Sequence, residues 1–206
     1  MSNLKSSRAQ LKPAAMSARE LDKMYDVVGR LEQKGTETAR KIELLEQLAA
    51  HGHSDAQNHL GTCFDEGRGV VQDKSRATAL YQQASEQGHE IGMFNLGQCL
   101  RSGDGVIKDE ERAVKLFTQA AAQGFVEAIS LLASCYLDGT GVAQDEKKAV
   151  ALWQKAAKEG DAGAQSNLGT CFERGRGVPK DVNRAFSLYR GAAMQGDDGA
   201  QHNFGV

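Results

Sequence analysis

Four cysteines, Cys63, Cys99, Cys135 and Cys171, recur at a constant spacing of 36 residues and could supply disulfides or reactive thiols. Equivalent positions on stacked helices lie about 8–10 Å apart, whereas Cα atoms beyond about 7 Å cannot be bridged without backbone movement. Free thiols are therefore expected. Each stands beside Phe64, Leu100, Tyr136 or Phe172 in an apolar stripe, so its role reads as a small buried hydrophobe in a reducing compartment. His51 and His53 are two residues apart, on different sides of any helix, with no carboxylate or cysteine at a metal-ligand spacing. They are expected to cap the C-terminal end of the helix before Gly52, where an imidazolium meets exposed carbonyls. No nucleophile elbow, phosphate loop or H-E-x-x-H motif occurs. Glycine pairs such as Gly175-Arg176-Gly177 read as turns, because a phosphate loop follows a strand. The sequence offers no catalytic residue, metal ligand or cofactor site.

One polar ladder remains, formed by His59, Asn95, Leu131, Asn167 and Asn203. An asparagine amide carries both donor and acceptor, so this ladder either holds the backbone of a bound peptide or ties neighbouring hairpins together. Beside it, Met93, Phe94 and Ile129 predict an apolar patch that would anchor a partner side chain.

The elements that position these residues follow from self-similarity. LGTCFDEGRGV at residues 60–70 returns as LGTCFERGRGV at 168–178, three periods of 36 residues apart, and ladders of alanine, aspartate and glycine hold the same register without insertion. Within one unit, Ala56, Leu60, Cys63 and Phe64 form the apolar stripe of a helix A, closed by Gly67-Arg68-Gly69. Asp73 stands at the N-cap of a helix B that carries Ala77, Leu80, Tyr81 and Ala84, closed by Gly88, with His89 opening the link to the next unit. The product is a stack of αα-hairpins in which Gly61 and Ala77 let helix axes approach closely.

The pattern A-x-x-x-L-G-x-x-F/Y-x-x-G-x-G-V-x-x-D-x-x-x-A, followed by an aromatic, an alanine pair and a glycine, resembles the Sel1-like repeat, a relative of the tetratricopeptide repeat. The resemblance implies an all-α, right-handed α/α superhelix (solenoid) of helix-turn-helix repeats at 55–90, 91–126, 127–162 and 163–198, with a truncated fifth begun at 199–206. It also implies that the A helices line a concave groove. Secreted relatives carry cysteine pairs bridging the two helices of a unit and have been assigned β-lactam binding or hydrolysis; here that framework is absent.

Residues 20–52, with Leu21, Met24, Tyr25, Val28 and Leu31 in one stripe, read as a divergent capping hairpin. Residues 1–19 hold basic groups and serines without an acid, which fits a disordered leader or a mitochondrial transit peptide. The truncated last unit predicts an uncovered end, available for end-to-end self-association or continued by a longer protein. No apolar run reaches the roughly 20 residues of a membrane helix. A net charge of −2 with interspersed signs gives no stripe for a phosphate backbone. The reading is a noncatalytic scaffold or adaptor, cytoplasmic, binding a protein segment on its concave face. A regulatory segment of a longer chain, such as a kinase tail or stress sensor, is the alternative; a secreted β-lactam enzyme is the more remote one.

Overall fold

The computed structural model describes residues 16–33 and 38–196. Ten helices and no strand occur among them. Helices α1 (Ala18–Gln33) and α2 (Thr38–Ala50) precede four A/B pairs: α3 (Ser54–Glu66) with α4 (Lys74–Glu86), α5 (Glu90–Ser102) with α6 (Glu110–Ala122), α7 (Val126–Asp138) with α8 (Glu146–Lys158), and α9 (Ala162–Arg174) with α10 (Val182–Ala193). Each helix packs on the next in sequence, the nearest-neighbour arrangement of a solenoid. Helix α1 begins inside the stretch expected as a leader. Ser17 precedes it, donating from its backbone N–H and its hydroxyl to the Glu20 carboxylate at 2.9 and 2.7 Å, the glutamate half of a capping box.

Every B helix starts at the expected aspartate. Asp73, Asp109, Asp145 and Asp181 each accept from the backbone N–H three residues on, at 2.9–3.0 Å. The A helices begin differently from expectation. His51 does reach back, its Nδ1 lying 2.8 Å from the Gln47 carbonyl, but His53 faces forward and caps α3, its Nδ1 accepting from Ala56 N–H at 3.3 Å. His89 does the same for α5, accepting from Gly92 N–H at 3.0 Å. An accepting Nδ1 carries no proton, so each neutral ring holds its proton on Nε2. There the N–H points at a carboxylate: Asp22 Oδ1 at 3.4 Å from His53, Asp55 Oδ1 at 3.3 Å from His89. Each imidazole thus closes one helix start and ties it to an acid one unit back.

The A-to-B turn shows why glycine occurs twice. In the third repeat, Gly139 (φ +74°) continues past helix α7, and its N–H and that of Thr140 both bond the Cys135 carbonyl at 2.9 and 3.0 Å. Gly141 (φ +67°) lies on the start of the preceding B helix, where a Cβ would be driven into the Glu110 carbonyl. That glycine is therefore a contact between repeats as well as a bend.

The core runs unbroken through the stack. On three of the four A helices the glycine at the Gly61 position makes room for a ring from helix B. A Cβ at Gly61 would lie 2.7 Å from Tyr81, and one at Gly169 would lie 2.7 Å from Tyr189. Phe117 occupies the same place over Gly97. Outside the core, a cation rests on an aromatic ring in three repeats: Arg76 on Phe64 at 4.0 Å, Lys148 on Tyr136 at 4.1 Å and Arg184 on Phe172 at 4.6 Å. The second repeat has Leu100 instead, and Arg112 donates to Gln82 Oε1 at 2.7 Å.

Candidate functional site

The A helices bury one side against their B partners, which leaves an outward row of Asn58, Thr62, Asn95, Gln98, Ser134, Asn167 and Thr170 partly or fully exposed. Neighbouring A helices also touch one another. Asn95 Nδ2 donates to Asn58 Oδ1 at 2.9 Å across the first repeat boundary, which uses one of the four hydrogen-bonding positions of its amide. Tyr25 OH lies 3.4 Å from His59 Nδ1, so the first rung is engaged by helix α1. Asn167 is exposed. Asn203 lies outside the described residues. The ladder therefore divides: Asn95 and His59 join elements together, and Asn167 faces outward.

The apolar patch expected beside the ladder is largely closed. Met93 is 8% exposed and Ile129 1%; both side chains turn into the core. Only Phe94 is half-buried, with its ring 6.0 Å from Phe117 and 5.2 Å from Phe125. The physical reason appears at the same register in the outer repeats, where the residue is glutamine. Buried Gln57 donates to the Ala49 carbonyl and to Gln83 Oε1, both at 3.2 Å, and accepts from Gln87 Nε2 at 2.6 Å. Gln165 accepts from Gln195 Nε2 at 3.1 Å. Gln57 thus bridges the preceding B helix and its own, and Gln165 bonds both ways as well while lining the cleft between α8 and α10. The paired glutamines thirty residues apart were the signal for it, and single-position reading misses them.

Between the first two A helices a pocket of about 220 Å³ opens beside the ladder, lined by Asn95, Gln98 and Arg101 together with Asp65, Asp104 and Tyr81. Lys74 Nζ pairs with Asp65 at 2.8 Å at its edge, and that carboxylate holds the Lys74 ammonium above its ordinary pKa. Tyr81 OH donates to Thr62 Oγ1 at 3.3 Å, and burial pushes its phenol well above the usual range. The pocket floor includes Cys99. All four cysteines are buried and unpaired with one another, and burial raises the thiols of Cys99, Cys135 and Cys171. These are poor nucleophiles at neutral pH, because the thiolate is the reactive form. Among the described residues no cluster of three potential metal ligands exists, and no helix is long and apolar enough to cross a membrane.

A family model described as Sel1 repeat matches residues 54–89, 91–125, 126–161 and 162–197. The chain belongs to the Sel1 repeat family. Among solved structures, the Sel1 repeat protein from Oxalobacter formigenes is 26% identical, with a TM-score of 0.84 over 92% of this chain and 78% of that one. The protective antigen c5321 of uropathogenic Escherichia coli, which displays the Sel1-like fold, is 29% identical with a TM-score of 0.80. The alignment covers 90% of this chain but only 40% of the antigen's length. The immunity protein Pa5087 from Pseudomonas aeruginosa shares the fold at 24% identity and a TM-score of 0.59, over 88% of this chain and 68% of that one. Among curated proteins, none is significantly similar. The Sel1 repeat chain is thus an all-α solenoid whose outward A-helix surface is polar, hydrogen-bonding and interrupted by one pocket.

Proposed function

We propose that this Sel1 repeat chain is a noncatalytic scaffold or adaptor that binds an extended segment of a protein partner along the outward A-helix face. The observation that carries the reading is the pocket beside Asn95 and Gln98, continuous with the exposed row of hydroxyls and amides. Amides and hydroxyls at a regular spacing suit the alternating donors and acceptors of an extended backbone. None of the four cysteines is in a disulfide, so the cysteine framework that would favour a secreted β-lactam enzyme has no counterpart among them. The match to 40% of a longer Sel1-like protein favours, as a second reading, the same surface acting as the regulatory segment of a longer chain.

Affinity capture with mass-spectrometric identification tests this, comparing the native chain with a Gln98→Ala, Asn167→Ala double variant. Both residues are exposed, so the variant should keep its helical spectrum. A partner captured by the native chain and lost by the variant is the expected result. Equal capture by both would remove these amides from the binding surface.

A further inference from the structure

On the opposite side of the stack, helices α8 and α10 stand apart over α9 and leave an open groove of about 490 Å³. Leu168, Phe172 and Leu188 give it an apolar floor bordered by Gln154 and Gln165, and one cation stands on each wall, Lys158 from α8 and Arg184 from α10. This combination occurs in one groove of the four. At the register of Lys158 the earlier B helices carry Ala50, Glu86 and Ala122. The cations at the register of Arg184 are engaged elsewhere in the chain: Arg76 faces Glu46 at 3.8 Å, Arg112 donates to Gln82, and Lys148 donates to Tyr136 OH at 2.7 Å. Among the described residues Arg184 has the ring of Phe172 beneath its guanidinium, and neither it nor Lys158 has a carboxylate partner.

The helical walls hold few acids; Glu159 follows Lys158 at the end of α8, and Asp181, before α10, is used in capping it, accepting from Arg184 N–H at 3.0 Å. Helix α10 contains none, and the single carboxylate of α8, Glu146, is bound to Arg176 at 3.0 Å. Lys155 and Arg190, both exposed, extend the positive field along the same two helices. An apolar floor between two uncompensated cations is complementary to an apolar side chain flanked by carboxylates. The Arg184 guanidinium, 4.6 Å from the Phe172 ring centroid, is a planar fork of donors of the kind that pairs with carboxylates. A nucleic acid fits less well, because its affinity needs many phosphate contacts and gains little from a leucine-lined floor.

We propose that the α8–α10 groove is a second docking surface, which takes an acidic segment of a protein partner with an apolar side chain seated on Leu168 and Leu188. It lies on the B-helix side and is independent of the A-helix surface.

Selection of phage-displayed random dodecapeptides on the full chain tests it. The expected peptides carry aspartate or glutamate within two residues of a leucine or aromatic residue. The selected peptide, labelled with fluorescein, should bind about tenfold more weakly, by anisotropy, to a Lys158→Glu, Arg184→Glu variant. Ser187→Trp, which fills the groove from an exposed position, should weaken it comparably without changing charge. The Gln98→Ala, Asn167→Ala variant should bind it unchanged, which separates this surface from the A-helix one. The proposal is overturned if no acidic–apolar peptide is enriched, or if the peptide binds both groove variants with native affinity. It is equally overturned if a labelled oligothymidylate binds the groove more tightly than the peptide, or if the groove variants abolish a dimer of the chain seen in size exclusion.

Discussion

Replacing Gly141 and Gly124 by alanine in separate variants isolates the contact that joins one repeat to the next. Both glycines have positive φ, +67° and +92°, and a left-handed L-residue costs about 1–2 kcal/mol. Around Gly124 an added methyl meets nothing within 4 Å, so conformational strain is its whole cost. At Gly141 the methyl is driven into the Glu110 carbonyl at the start of the preceding B helix, and forcing a methyl into packed backbone adds about 1–3 kcal/mol. Gly141→Ala should therefore lose about 2–5 kcal/mol in total, and Gly124→Ala about 1–2 kcal/mol. The ranking is conservative, since the Gly124 backbone lies further from the left-handed minimum near +57°. Urea unfolding followed by circular dichroism reads both. Because each repeat touches only its neighbours, the Gly141 variant should also unfold over a broader range, as coupling is lost at one boundary. Equal losses, within about half a kcal/mol, would refute the idea that the second turn glycine is an inter-repeat contact.

Other consequences are as direct. The buried thiols should react slowly with a thiol reagent in the native protein and report four groups after denaturation. With Cys99, Cys135 and Cys171 raised by burial, native labelling should still be accelerating above pH 9, beyond the range of a free cysteine. His53 and His89 should give the Nε2–H tautomer in imidazole nitrogen NMR, and His89→Ala should cost about 0.5–2 kcal/mol as a lost N-cap; an Nδ1–H signal would contradict the capping geometry. Leu168, 5% exposed beneath the fourth repeat, should lose about 2–5 kcal/mol on truncation to alanine, and a markedly smaller loss would misplace the core stripe.

The fold was legible because repetition reports one answer several times. A single Asp73 is a weak N-cap signal; the same aspartate at 109, 145 and 181 opening a helix each time is not. What escaped was chemistry shared between units. His53 looked like a helix end because an imidazolium suits exposed carbonyls and His89 like a link, whereas their carboxylate partners, Asp22 and Asp55, are 31 and 34 residues away. Met93 and Ile129 looked like an exposed patch because the same register holds glutamine at 57 and 165. Gln57 is in fact buried and satisfied by Gln83 and Gln87, so polarity in one repeat misrepresented burial in another. The small-residue ladder gave close packing correctly, but not that the gaps at Gly61, Gly97 and Gly169 admit a ring from helix B.

Site-specific photocrosslinking gives the most direct measurement of where a partner lies. A photoreactive phenylalanine analogue at Gln98, on the A-helix face, is compared in cell extract with the same analogue at Ala79, exposed on helix α4. Binding along the A helices predicts a discrete crosslinked partner from position 98 and none from position 79. A partner crosslinked from position 79 but not from 98 would contradict it.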